Sequence, residues 1–193
     1  MSLLNNAKII GGVGALLTLI GILISSFGFF ISVVGFILVF VAVKYISDEV
    51  KDKSIFNNFL YFFITVIIAV VVAAAILIIT FIESGGMTFI NELQSLAYSD
   101  PMAIWDTIQP LFTGVIATLV IFWILMIISI MFLRKSYDKI AEYTKVKWFS
   151  TAGLIFLIGA VTLVILIGFI IILIGIIIEI IAYFSLPDKL PDK

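Results

Sequence analysis

Glu179 is the one ionisable residue set well inside an apolar run, GFIIILIGIIIEIIAYFSL from Gly168 to Leu186. It stands about seven residues from the polar end of that run, so about 10 Å deep at helical rise. A carboxylate at such depth is costly in hydrocarbon and marks a functional candidate by default. Its chemistry would be proton carriage or cation binding. The competing reading is a neutral or lysine-paired acid that fixes helix packing. Tyr61, Thr65 and Ser129 fall at similar depth in neighbouring apolar runs, and Lys44 is shallower but long enough to reach down. These four are its candidate partners. A single acid with no second acid or base at its own depth makes a weak relay, which favours the packing reading.

Little else in the chain could do chemistry. There is no cysteine and no histidine, so thiolate nucleophiles, thiolate metal sites and the commonest general base are absent. No nucleophile elbow, phosphate-binding glycine loop or metal-ligand spacing occurs. Glu83, Glu92, Asp100 and Asp106 share one polar stretch, but they are scattered and lack ion-loop spacing. The expectation is no enzyme, no catalytic residues, no metal and no cofactor.

The elements that would hold Glu179 follow from composition. The chain is 64% hydrophobic and 12% charged over 193 residues, with a mean hydropathy of +1.36. Soluble domains average about 45–50% apolar and about 25% charged, so this is an integral membrane protein of all-α class. Ala7 to Val43 is apolar apart from Lys8. As one helix it would be about 55 Å long, against a hydrocarbon core of about 30 Å. Two spans are therefore expected there, turning at Ser25-Ser26-Phe27-Gly28. The full expectation is a single membrane domain over 1–193, a bundle of six transmembrane helices. Its spans are about 7–25, 28–47, 55–82, 111–133, 148–166 and 168–186, with an outer loop at 83–110. Within that loop, Thr88 to Leu96 and a segment opened by Asp100-Pro101 around Trp105 read as short helices. Ser54 reads as the N-cap of the third span, and Glu49 with Lys53 as an i, i+4 pair.

The closing hairpin copies the opening one. Shifted by 140 positions, Gly168, Gly175 and Ala182 fall on Gly28, Gly35 and Ala42, and Asp188 on Asp48. Glu179 falls on Val39, so the acid belongs to one copy of this internal repeat. Gly14 and Gly21, Gly28 and Gly35, and Gly168 and Gly175 each lie seven apart, on one face of their helix. Small residues let membrane helices approach closely, so these are the helix-packing positions.

Charge supports the six spans. The N-terminus, 44–54, 134–147 and the C-terminus hold all eleven basic residues. The acidic stretch 83–110 holds none. The positive-inside rule then places both termini in the cytoplasm. Tyr45, Tyr137, Tyr143, Trp148 and Tyr183 read as an aromatic belt at the cytoplasmic edge, with Tyr98 and Trp105 at the outer one. The net charge of −1 and the dispersed lysines give no reason to expect nucleic acid. Membrane lipids, other membrane subunits or a second copy of the chain are the expected partners.

The stretch VAVKYISDEVKDKSIFNNFL, Val41 to Leu60, behind a glycine-rich double span and ahead of a third, resembles a family of uncharacterised archaeal multi-span membrane proteins, a domain of unknown function. The resemblance implies an archaeal plasma membrane and brings no activity or site residue. The expected role is a structural or accessory subunit of a membrane assembly. The alternative is a small transporter or channel, proton-coupled through Glu179. The polar residues Thr18, Ser32, Thr65, Thr118, Ser129 and Thr162 are spread over the spans without a dense cluster, which is thin for a polar substrate path.

Overall fold

A computed structural model describes residues 2–24, 26–89 and 101–191. Among them the regular structure is helical: α1 Leu3–Leu23, α2 Gly28–Val50, α3 Lys53–Glu83, α4 Pro101–Thr144, α5 Trp148–Thr162 and α6 Ile167–Phe184, with a 3₁₀ turn Leu163–Ile165 between the last two. Among the described residues six helices are long and apolar enough to cross a membrane, the fifth counted with its 3₁₀ turn. The surface helix expected at 88–96 lies almost wholly outside the described residues, as do Glu92, Tyr98 and Asp100.

Several helix ends differ from expectation for one physical reason. Charged residues beyond a hydrocarbon span need not leave the helix. At about 1.5 Å per residue α4 runs about 66 Å, twice the hydrocarbon thickness, and it absorbs both the Trp105 segment and most of the basic loop 134–147. Likewise α2 carries Lys44 through Val50, leaving a link of two residues. Lys51 ends α2 in the left-handed conformation, its N–H bonded to Ser47 O. Asp52, not Ser54, caps α3: its Oδ1 accepts the Ser54 N–H at 2.9 Å and the Ser54 hydroxyl at 2.6 Å. Glu49 and Lys53 are separated by this link, and Glu49 instead accepts the Leu3 N–H at 3.2 Å.

The chain divides into two compact units. Unit 1 is 1–64 with 127–193, and unit 2 is 65–126. All eleven basic residues belong to unit 1.

Within unit 1, α1 packs on α2, α5 on α6 and α1 on α6. The first hairpin closes glycine on backbone. A Cβ at Gly35 would lie 2.5 Å from Gly14 O and 2.6 Å from Thr18 N, and one at Gly21 would lie 2.5 Å from Gly28 O. The second hairpin closes in the same way. Gly168 takes the place of Gly28 against Gly159 O, and Gly175 that of Gly35, now against the Phe156 ring. The second helices correspond at an offset of 140, but the first helices correspond at 138, with Gly159 over Gly21 and Phe156 over Thr18. The second turn is therefore two residues longer, and it contains Leu166 at φ 63°.

One end of unit 1 gathers the charged segments. The Ser2 hydroxyl donates to Asp188 O at 2.6 Å, and Lys8 stands 3.9 Å from the Asp188 carboxylate. Lys139 on α4 reaches Asp52 at 3.1 Å and Ser54 at 2.5 Å. The Ser150 hydroxyl donates to Asp138 at 2.6 Å. The N-terminus, both links and the C-terminal segment thus share one face.

In unit 2, α3 ends at Gly85 and Gly86, both at positive φ, with the Gly86 N–H on Phe81 O at 2.9 Å. Gly114 on α4 gives room to the Thr80 side chain. Pro110 sits inside α4, where it can donate no backbone bond.

Candidate functional site

The buried polar cluster of unit 1 is built on α4 and α6. Glu179 is 8% exposed, and Tyr137, whose hydroxyl donates to its Oε1, is 1% exposed. Tyr183 lies one helical turn beyond Glu179, on the same face of α6. Its hydroxyl is buried beside the Tyr137 hydroxyl and Glu179, close enough to interact electrostatically with both. Phe149 on α5 meets both tyrosine rings edge-on, at 5.6 and 5.0 Å between centroids. Gly11 on α1 lies directly against the Tyr183 ring, where a side chain would collide. Glycine on one helix and aromatics on three others therefore exclude water around one carboxyl group. Two readings of Tyr137 and Tyr183 are corrected here. Neither belongs to an interfacial belt, because each ring is spent on packing and is fully enclosed. The α6 spacing of Glu179 and Tyr183 was the available signal for the second. For Tyr137 there was none, since RKSYDK lies in a basic loop beyond the apolar run.

Three of the four candidate partners of Glu179 have contacts of their own. The Ser129 hydroxyl donates to Phe62 O at 3.1 Å. Lys44 pairs with Asp48 at 2.5 Å on its own helix. Tyr61 is half-exposed with its ring 5.6 Å from Phe132, and Thr65 belongs to unit 2. The hydrogen-bond donor is Tyr137, which depth along the sequence could not reveal. The glycines Gly14, Gly21, Gly28, Gly35, Gly168 and Gly175 are all buried at the contacts described above.

Two further polar features stand outside this cluster. Asp52 has its carboxyl lowered to about 2, first by the Ser54 hydroxyl, against the opposing effect of partial burial, and further by the Ser54 N–H and Lys139. In unit 2, a groove of about 430 Å³ is lined by Thr80, Glu83, Ser84, Gln109, Pro110 and Thr113, and the Ser84 hydroxyl beside it is buried without a hydrogen bond. Among the described residues no three acids come together as a metal site.

The comparisons with known proteins bear on the whole chain. A family model described as a protein of unknown function, DUF996, matches residues 31–177. The chain belongs to this family. The DUF996 match takes in α2 from Ile31, Tyr137 and α6 as far as Ile177, and stops short of Glu179 and Tyr183. The uncharacterized protein MJ1644 of Methanocaldococcus jannaschii is 33% identical over 190 residues, 98% of this chain and 97% of that protein. No solved structure matches. The family is thus one of unknown function with an archaeal relative, as the loop resemblance implied.

Proposed function

We propose that this DUF996 protein is a structural or accessory subunit of an assembly in an archaeal plasma membrane, multi-pass with both termini cytoplasmic, and that it catalyses no reaction. The observation that carries this reading is the use of polar side chains in unit 1. Ser129 bonds Phe62 O, Ser136 bonds Ile55 O at 2.9 Å and Tyr137 bonds Glu179, each joining one helix to another. Buried bonds of this kind fix helices in register, whereas a carrier turns polar groups toward a path at the midplane. The gathering of both termini and both basic links on one face supports the cytoplasmic orientation. Tagged full-length chain, expressed at native level and extracted in mild detergent, tests the proposal. The expected result is a particle with other membrane subunits in fixed proportion, and depletion of those subunits when the gene is deleted. A chain that leaves native membranes alone would overturn it.

A second reading, a small proton-coupled transporter, is favoured by one observation: the Tyr137 and Tyr183 hydroxyls are both buried beside Glu179. Proton flux into vesicles carrying the purified chain, abolished in Glu179→Gln without loss of thermal stability, would establish it.

A further inference from the structure

A groove of about 590 Å³ runs along unit 1 between α1, α2 and α3, with Phe29, Val33, Phe36, Ile37, Phe40 and Phe63 along it. Its only side-chain oxygens are those of Thr18 and Ser32. Both hydroxyls are committed: Thr18 donates to Gly14 O at 3.0 Å, and Ser32 to Thr18 O at 3.3 Å. The groove therefore offers a polar ligand no free side-chain donor. It lies on helices of membrane-crossing length and hydropathy, so hydrocarbon is what it meets.

What the groove lacks decides between a chain and a helix. From Phe29 to Phe40 it follows eleven residues of α2, about 17 Å at helical rise. Close helix docking in a membrane uses small residues, and the glycines of this hairpin are already consumed, Gly14, Gly21, Gly28 and Gly35 between α1 and α2 and Gly11 and Gly12 against Tyr183 and Phe184 of α6. What fits is one flexible hydrocarbon chain.

The groove also has a charged end. Phe40 meets the Phe56 ring edge-on at 5.0 Å, and the Lys44 ammonium stands 5.4 Å above Phe56. Lys44 lies one turn beyond Phe40 on α2, and its side chain is 46% exposed. Asp48 takes one of its N–H groups, which leaves two to donate outward. An ammonium at the polar end of an apolar channel matches the phosphate of a lipid whose chain lies in that channel.

We propose that this groove is a specific site for one anionic phospholipid, its hydrocarbon chain held between Phe29 and Phe40 and its phosphate on Lys44. Purified full-length chain in bilayer discs of equal phosphatidylglycerol and phosphatidylcholine, transferred to detergent and weighed by native mass spectrometry, tests it. The parent retains one phospholipid per chain and prefers phosphatidylglycerol by up to about fivefold, the weight of one juxtamembrane lysine whose charge Asp48 already offsets in part. Lys44→Gln keeps a phospholipid but loses the preference. Val33→Trp fills the groove from a residue that is 41% exposed, so it leaves the core intact and abolishes retention; Ile37→Trp, from the half-exposed next turn, does the same. A parent that retains no phospholipid, or both head groups equally, overturns the proposal. So does retention unchanged in both tryptophan variants, or a second copy of the chain that both variants remove. None of these outcomes depends on whether the chain belongs to a larger assembly.

Discussion

Glu179 gains its character from what encloses it. With Tyr137 only 1% exposed, removing the acceptor strands a buried hydroxyl at a cost of about 1–3 kcal/mol. Glu179→Gln keeps a carbonyl for Tyr137 and should melt close to the parent in detergent. Glu179→Leu should melt clearly lower, and a Leu variant as stable as the parent would remove the buried bond from the account. Asp52 gives a prediction outside the membrane. Its folded value, about 2, is below the ordinary 3.8, so it contributes stability that is present above about pH 4 and is lost as pH falls toward 2. Asp52→Asn should remove that part of the acid slope, read as the difference between the two melting curves against pH. If the curves stay parallel from pH 5 to pH 2, the cap is not what holds the carboxyl down. At this scale the sequence was half legible. An acid in an apolar run announces itself, but a buried partner on another helix does not, because contacts between helices leave no period along the chain.

At the scale of elements, the seven-residue glycine spacing was readable and its contacts are with backbone. Gly35→Ala would press a methyl against Gly14 O and Thr18 N, neither of which can swing aside, so it should destabilise by about 1–3 kcal/mol. Gly153→Ala meets Arg134 at 3.2 Å or more and gains helix propensity, so it should cost less. Comparable losses of melting temperature in the two variants would show that the α1–α2 closure is not rigid. Helix ends were less legible. KYISDEV looks like a loop by charge yet continues α2, and RKSYDKIAEYT, legible as a turn or two of helix beyond the membrane, continues α4 to Thr144, because hydropathy registers where hydrocarbon stops and not where hydrogen bonding stops.

For the whole molecule, six crossings were legible because lipid demands long apolar helices. The division into two units was not, since it cuts through α3 and α4 with no change in composition to mark it. The topology carries its own test on this cysteine-free chain. Lys53→Cys and Met87→Cys both replace exposed side chains. In intact cells an impermeant maleimide should label Met87→Cys and reach Lys53→Cys only after permeabilisation. Labelling of both from outside would break the six-crossing arrangement.

The two hairpins reach the same closing contacts with six residues between Gly21 and Gly28 but eight between Gly159 and Gly168. The length of a turn is thus independent of how its helices meet, and the side chain of Leu166, a left-handed residue, is 82% exposed. That corner is a natural place to graft. A short epitope inserted between Ile165 and Leu166 would display itself at the end of unit 1 away from the gathered charges, and would leave the membrane fold to close as before.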